Sequence, residues 1–451
     1  MEESGGISMN MKKYDDILIG SGPAAYKMSN LLAKTDRKVL VIEGFEYGGT
    51  CPNYGCEPKI FLEGAVRTVL QSQQLLGRGI SQPAKLNWEE LMRTKLNRFD
   101  PWPAETRAII EKTHDVEDGY ASFVDNHTIA VNGHQYQADH IIIATGQTPN
   151  ILNIPGKEYL HTSYDLLSLK ELPQRITIIG AGFVGLELAA LVAAAGAEVT
   201  IVVHSDRVLR EFTRAEDKML VGAMKQRGIK FSFNTDTQKV SQGKDGLLVT
   251  TDQGEIQTDY VLDATGRHPN IEKLALENTE IKYDRHGINV DGHLMTTVNG
   301  VYAIGDVVNR KQPKLTPVAE FEGQYLFDYL TSKTDQDIVY PTIGQAAFTF
   351  PEVARAGVNP DDVADDSQYQ VKTVALKYSS LYAGQNDQAS TLTLVFKDQQ
   401  LVGASEVGDY AADDINNFLP IIGLKISGDE YRQKVMAIYP TLGDKVAGLL
   451  P

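Results

Sequence analysis

Residues 14–25 read Tyr14-Asp15-Asp16-Ile17-Leu18-Ile19-Gly20-Ser21-Gly22-Pro23-Ala24-Ala25. A short apolar strand, Tyr14–Ile19, runs straight into Gly-x-Gly-x-x-Ala, and a helix is expected to about Lys34. A second strand, Lys38–Glu43, ends in an acid 23 residues after Gly20. Glycines at such a turn let the backbone approach a pyrophosphate on the helix N-terminus. The terminal acid suits a ribose hydroxyl. Strand, turn, helix, strand and acid together form a βαβ dinucleotide fingerprint.

The unit recurs further along. Arg175–Ile179 is a strand, Gly180-Ala181-Gly182-Phe183-Val184-Gly185 is its loop, a helix runs to about Ala195, and Glu198–Val203 is the second strand. Each fingerprint is followed by an apolar strand ending in Ala-Thr-Gly, at Ala144-Thr145-Gly146 and Ala264-Thr265-Gly266, and then by Pro-Asn. Two nucleotide-binding domains in one chain predict an α/β protein with two dinucleotide sites. Gly300–Asp306 reads as a strand ending in an acid, and Leu315–Ala319 opens a helix. From about Tyr340 the pattern changes to strands (Gln345–Phe350, Val371–Leu376, Leu392–Phe396) and then helices (Ala411–Leu424, Gly428–Met436), an α+β terminal domain.

Composition narrows the function. The chain has 451 residues, 42% hydrophobic and 23% charged, enough for about three domains. The longest uncharged, mostly apolar run, Leu188–Ala197, is about half a membrane span, so no membrane segment is expected. The opening MEESGGISMN has no basic-then-apolar block and reads as a flexible leader rather than a signal peptide. Net charge is −16 with no basic run, which argues against nucleic-acid binding. There are two cysteines, Cys51 and Cys56. So few thiols, so close together, point to a cytoplasmic protein with a redox-active or metal-binding pair. No further Cys and no nearby His accompanies them, so no metal site is expected.

At Gly48-Gly49-Thr50-Cys51-Pro52-Asn53-Tyr54-Gly55-Cys56-Glu57-Pro58-Lys59 the chain resembles the pyridine nucleotide-disulfide oxidoreductases, the family of glutathione reductase, dihydrolipoamide dehydrogenase and mercuric reductase. The resemblance extends over about residues 12–450 and includes both fingerprints, both Ala-Thr-Gly strands, Gly305-Asp306, Leu315–Ala319 and Phe348–Glu352. It implies an interrupted FAD domain (12–149 and 269–337), an NAD(P)H domain (150–268) and a C-terminal dimerisation domain (338–451). FAD would lie on Gly20, Gly22, Pro23, Ala24, Glu43, Gly49, Thr50, Thr145, Gly146, Gly305, Asp306, Thr316, Pro317 and Ala319. The resemblance makes Cys56 the charge-transfer thiol, favoured as thiolate by a helix N-terminus, and Cys51 the interchange thiol. Lys59 would stand near the flavin with Glu187 as its ion-pair partner. The second cofactor would use Gly180, Gly182, Phe183, Val184 and Gly266. No acid ends the strand at Val203, while His204, Arg207 and Arg210 follow and could embrace a 2′-phosphate. NADPH is therefore preferred to NADH.

The chain also departs from this pattern. The family's disulfide reductases carry His-Pro-Thr-x-x-Glu near the C-terminus, where the His serves thiol exchange across a dimer interface. Here the segment is Tyr439-Pro440-Thr441-Leu442-Gly443-Asp444, and the last histidine in the chain is His293. Tyrosine, with a reference pKa of about 10, donates a hydrogen bond but is a poor base at neutral pH. Asp444 has the right charge and a shorter reach than Glu. Positions matching the substrate-binding arginines of glutathione reductase look like Asn30 and Tyr325, so glutathione disulfide is disfavoured. The expected enzyme is an FAD- and NADPH-dependent homodimer with shared active sites, reducing an unidentified small-molecule acceptor through Cys51 and Cys56. A disulfide acceptor is the first reading. A flavin reductase of quinones, metal ions or reactive oxidants, or a redox-sensing flavoprotein, are the alternatives.

Overall fold

A computed structural model of the chain describes residues 11–451; the opening segment read above as a leader lies outside the described residues. The chain forms two compact units. One comprises the chain up to Lys59, Lys95–Pro149 and Arg267–Val339; the other comprises Ile60–Thr94, Asn150–Gly266 and Tyr340–Pro451.

In the first unit the strand Lys12–Ile19 is flanked in parallel by Val39–Glu43 and His134–Ile143, with Ile17 opposite both Leu40 and Ile141. Asp115–Asp118 extends the parallel sheet beyond Val39–Glu43. Strands covered on both faces must be apolar throughout, which is why Ile17–Ile19, Val39–Ile42 and Ile141–Ile143 read as unbroken apolar runs. Besides Lys12–Ile19, His134–Ile143 pairs with two further strands: its first half with the antiparallel strand Thr128–Val131, its last three residues in parallel with Val301–Ala303. That second pairing draws a segment from late in the chain into the first sheet. One face of the sheet buries Tyr14, Ile17, Leu40, Phe123 and Ile129; the other buries Leu18, Val41, Met28, Leu32, Ile142 and Leu326. Each such side chain contributes about 1.5–3 kcal/mol on burial. The parallel strands end together, placing Gly20, Glu43, Thr145 and Gly305 at one edge. In open parallel sheets that carboxyl edge is where ligands bind.

The second unit holds a five-stranded parallel sheet in the order Lys230–Phe233, Glu198–Val203, Arg175–Ile179, Tyr260–Asp263, Leu160–His161. It repeats the βαβ arrangement with the helix Phe183–Ala194. A three-stranded antiparallel sheet spans Thr237–Thr258, and the terminal sheet is antiparallel in the order Gly344–Ala347, Glu352–Gly357, Gln400–Gly408, Thr391–Lys397, Tyr369–Ala375. The architecture is two Rossmann-like βαβ regions and an α+β terminal region. Two local expectations change. The helix expected over 411–424 is two helices, Ala411–Asn416 and Leu419–Leu424, because Pro420 lacks an N–H and starts a new first turn. The strand expected to reach Phe350 stops at Ala347.

Candidate functional site

The first glycine loop is shaped by backbone crowding. Gly20 has φ +103°, and a Cβ there would lie 2.5 Å from the Ala144 carbonyl oxygen. Gly49 has φ +68°, and its Cβ would lie 2.8 Å from the Gly22 Cα, so the fingerprint loop and the cysteine loop meet glycine against glycine. Pro23 sits in the first turn of the helix Pro23–Leu32, where its missing N–H costs nothing. Glu43 turns back onto this loop: its carboxylate accepts from the Ser21 N–H at 2.9 Å, the Ser21 hydroxyl at 2.7 Å and the Phe45 N–H at 2.9 Å. Burial pushes its carboxyl above the usual range against those three donors. Ser21, which also accepts from the Gly48 N–H at 3.0 Å, had no signal in the sequence beyond being one of the fingerprint's variable positions.

The cysteine segment is two helices, Thr50–Tyr54 and Cys56–Gln74, with Gly55 between them. Both cysteines are free thiols. Cys51 is half-buried, and its thiol is pushed well up by the hydrogen bond with Cys56, by burial, and by negative charge on Cys56. Cys56 is exposed at the first position of a 19-residue helix, with its sulfur 3.9 Å from the Thr316 hydroxyl. A hydrogen bond with Thr316 partly opposes the rise at Cys51. Thr316 and Pro317 form the first turn of the helix Thr316–Leu330, and Ala319 lies beneath Gly305. Lys59, one turn after Cys56, is half-buried. Glu187, on the fingerprint helix of the second unit, is 8% exposed and accepts from the Phe348 N–H at 2.8 Å.

Asp306 follows the strand Val301–Ala303 in a tight turn held by two buried partners. Glu322, fully buried, accepts from the Gly305 N–H at 2.7 Å and pairs with Arg310 at 2.8 Å. Arg310 also donates to the Gly305 carbonyl at 2.5 Å, and its other nitrogen stands 3.7 Å from Asp306. Lys314 donates to the backbone carbonyls of Asp306 and Val308, and burial together with Arg310 pushes its amine down to about 8. Arg267 donates to the Gln147 carbonyl at 2.5 Å and to the Thr50 hydroxyl at 3.3 Å. Burial raises the Asp306 carboxyl while Arg310, Lys314 and Arg267 oppose that rise. These three cations and Glu322 were not singled out from sequence; only Arg267, which follows the second Ala-Thr-Gly, stood beside a motif.

This edge fits FAD on its own chemistry. Asp306 Oδ1, Thr145 Oγ1 and Arg310 Nε and Nη2 are buried without a hydrogen-bond partner. Orphaned groups of this kind are costly unless a ligand's hydroxyls and phosphates meet them. Gly146, with φ +66°, leaves open space beside Thr145.

At the second loop, Gly180 has φ +107° and repeats the Gly20 conformation, while a side chain at Gly182 would meet nothing within 4 Å. Phe183 and Val184 begin the helix, with Phe183 half exposed. Gly266, φ +132°, lies against Asn150. Beyond the buried Val203, His204 is exposed and hydrogen-bonded to Asp236, and Arg210 is exposed with no ion pair among the described residues. Arg207 differs from the expectation: its side chain is 15% exposed, donates to the Phe212 carbonyl at 2.5 Å and pairs with Asp217 at 3.8 Å. The buried carboxylate of Asp217 draws it inward and leaves His204 and Arg210 as the exposed basic side chains of this stretch.

Residues 14–323 match the pyridine nucleotide-disulphide oxidoreductase family, and residues 343–449 match that family's dimerisation domain. The chain belongs to the pyridine nucleotide-disulphide oxidoreductases. A mercuric reductase of Staphylococcus aureus is 31% identical, over 89% of this chain and 76% of that protein. A glutathione reductase of Nostoc sp. is 29% identical over 89% and 92% of the two chains, and a dihydrolipoyl dehydrogenase of S. aureus is 28% identical over 95% and 94%. In fold, the chain is similar to RclA from Escherichia coli, titled an HOCl-induced flavoprotein disulfide reductase, with TM-score 0.86, 24% identity and coverage of 97% and 99%. As a member of its family the protein is a flavin-dependent disulfide oxidoreductase with FAD and NADPH as cofactors. The dimerisation domain supports a homodimer. Among the described residues no helix is long and apolar enough to cross a membrane.

The C-terminal segment carries Tyr439 and Asp444. Tyr439 is 74% exposed; the Lys445 amine stands 5.6 Å from its ring centroid, and its hydroxyl makes no hydrogen bond among the described residues. Asp444, in the first turn of the helix Leu442–Leu449, pairs with Lys445 at 3.2 Å. No hydrogen bond links Asp444 to Tyr439 among the described residues, in keeping with the shorter reach of Asp. Tyr325 donates to the Gln336 carbonyl at 2.7 Å and lies 2.9 Å from His293 Nδ1, while Asn30 is exposed.

Proposed function

We propose that this oxidoreductase reduces a small disulfide at the expense of NADPH, with Cys51 as the interchange thiol and Cys56 as the flavin-side thiol. What supports this reading is the build of the cysteine segment: Cys51 lies half-buried in the short helix Thr50–Tyr54, and Cys56 is exposed at the head of the helix Cys56–Gln74 with its sulfur 3.9 Å from the Thr316 hydroxyl. Gly20, Gly22, Glu43, Gly49, Thr50, Thr145, Asp306 and the helix at Thr316 would hold FAD, and Gly180, Gly182, His204 and Arg210 would hold NADPH. Bound FAD supplies the exchange of NADPH's hydride for an electron pair delivered to a disulfide. The chain's own steps are thiol exchange. Cys51, on losing its proton, attacks one sulfur of the acceptor and expels a thiolate that takes up a proton. Cys56 then attacks Cys51, releases the second thiol and restores the Cys51–Cys56 disulfide. One NADPH and one proton are consumed for two thiols formed. Tyr439 of the partner subunit would donate a hydrogen bond to the departing thiolate. Two cysteines in 451 residues, neither in a structural bridge, support a cytosolic setting.

A second reading rests on the missing imidazole. No histidine follows His293, and a metal ion or another oxidant needs no thiol proton shuttle. A mercuric reductase is among the relatives. NADPH oxidation by wild type, Cys51→Ser and Tyr439→His against disulfides, quinones and metal ions separates the two. The disulfide reading requires that Cys51→Ser lose turnover with the best acceptor. It also requires that Tyr439→His raise disulfide turnover, with a pH dependence near the imidazole pKa of about 6.5. Retained turnover in Cys51→Ser would replace it with the second reading.

A further inference from the structure

The second unit contains a cavity of about 100 Å³ away from the residues assigned above. Its apolar wall is Leu70, Ala190, Ala193, Ala194, Met224 and Ile229. The space arises because the fingerprint helix Phe183–Ala194 presents alanines, whose short side chains do not reach the helices Cys56–Gln74 and Arg214–Gln226. Gln73, Arg227 and Phe350 complete the lining.

Arg227 is the unusual member. Its guanidinium stacks 4.4 Å above the Phe350 ring and donates to Gln74 Oε1 at 3.1 Å. Among the described residues no carboxylate pairs with it. Arg67, 5.9 Å from the same ring, is matched by Glu63 and Glu352. Asp409 and Asp387 act on Arg227 only at a distance, and burial pushes its guanidinium below the ordinary range. A desolvated cation with one neutral hydrogen-bond partner is a poor way to fill a wall, and a good way to hold an anion.

We infer that this cavity binds a short-chain monocarboxylate, with the carboxylate on Arg227 and Gln73 and a two- or three-carbon tail against Ala190, Ala193, Met224 and Ile229. The size follows from the volume: a dry cavity of about 150 Å³ takes a benzene ring, so 100 Å³ suits a smaller body. An inorganic anion would leave the apolar wall unfilled, and a neutral alcohol would leave Arg227 unmatched. The ligand would fill the gap between the alanines of the fingerprint helix and Leu70, Met224 and Ile229.

The test uses the FAD-loaded protein with sodium propionate, sodium chloride at matched ionic strength, and 1-propanol. Saturation-transfer NMR on the propionate methyl group and thermal unfolding are the readouts. Propionate should bind and raise the midpoint, while chloride and 1-propanol should not. Arg227→Gln should weaken propionate about 10- to 100-fold, the range for one lost charge-assisted hydrogen-bond partner. Ala193→Leu, which keeps Arg227 and fills the cavity, should abolish binding; it decides the matter should Arg227→Gln fail to fold. Equal stabilisation by chloride or 1-propanol, or undiminished propionate binding in either variant, overturns the inference.

Discussion

Arg310→Met probes the turn that carries Asp306. Arg310 is 5% exposed and Glu322 fully buried, 2.8 Å apart, and both hold Gly305 by its carbonyl and N–H. Methionine keeps the apolar stem but leaves the Glu322 carboxylate buried without its cation. Breaking a buried pair from one side costs about 3–5 kcal/mol, because the remaining charge is uncompensated. At roughly 2–4 °C per kcal/mol for a unit of this size, the first unit should melt about 6–20 °C lower. The double variant Arg310→Met/Glu322→Gln removes both charges, and glutamine still accepts from the Gly305 N–H. Its cost should be under about 2 kcal/mol, so it should recover most of the midpoint. Since Gly305 positions Asp306, the single variant should also retain less flavin after desalting. Differential scanning fluorimetry and the absorbance ratio at 450 and 280 nm, wavelengths typical of flavin and protein at about those values, read both effects. A double variant that melts below the single one would show that the pair acts as a net stabiliser rather than as mutual compensation, and the reasoning would fail.

Three further outcomes are expected. Cys51→Ser should show a broad long-wavelength band without added reductant, from the Cys56 thiolate beside oxidised flavin, and Cys56→Ser should not; the reverse pattern means the two thiols exchange roles. Arg210→Ala should lower kcat/KM for NADPH relative to NADH by about 1–3 kcal/mol, one lost charged partner. Arg207→Ala, which removes the Asp217 partner, should act on stability instead, and a selective NADPH defect there would contradict the inward placement. Glu406→Gln should stabilise the terminal region at pH 8: burial and Asp414 hold the Glu406 carboxyl well up, and Asp414 itself is raised to about 6. Raised folded pKa values mean stability present in acid and lost as pH climbs from about 4 through 6 and beyond, so the variant should flatten that fall in a pH series of urea midpoints.

The two Rossmann units were legible in the sequence because their signals are local. A strand buried on both faces must be an apolar run, a pyrophosphate turn must have glycine, and a helix over a phosphate must start there. The cysteine pair was legible because its neighbours along the chain, from Gly48 to Lys59, carry the motif with them. The departure from the family's His-Pro-Thr-x-x-Glu segment was equally legible, because no histidine follows His293 in the sequence given.

What the tertiary structure decided concerns groups far apart in the chain. Val301–Ala303 joins the first sheet through Ile141–Ile143, and that pairing brings Asp306 to the edge where Gly20 and Glu43 end. Arg310, Lys314 and Arg267 gained their meaning from burial around Asp306, a property no single residue type announces. Arg207 and Arg210 are equivalent as letters; only the position of Asp217 on the following helix takes one inward and leaves the other in solvent. The same holds for Cys51 and Cys56, on either side of a helix break at Gly55, of which the first is half-buried and the second exposed beside a threonine 260 residues away. Local pattern sets which chemistry is present. Long-range packing sets which member of each pair is turned inward and which is left at the surface.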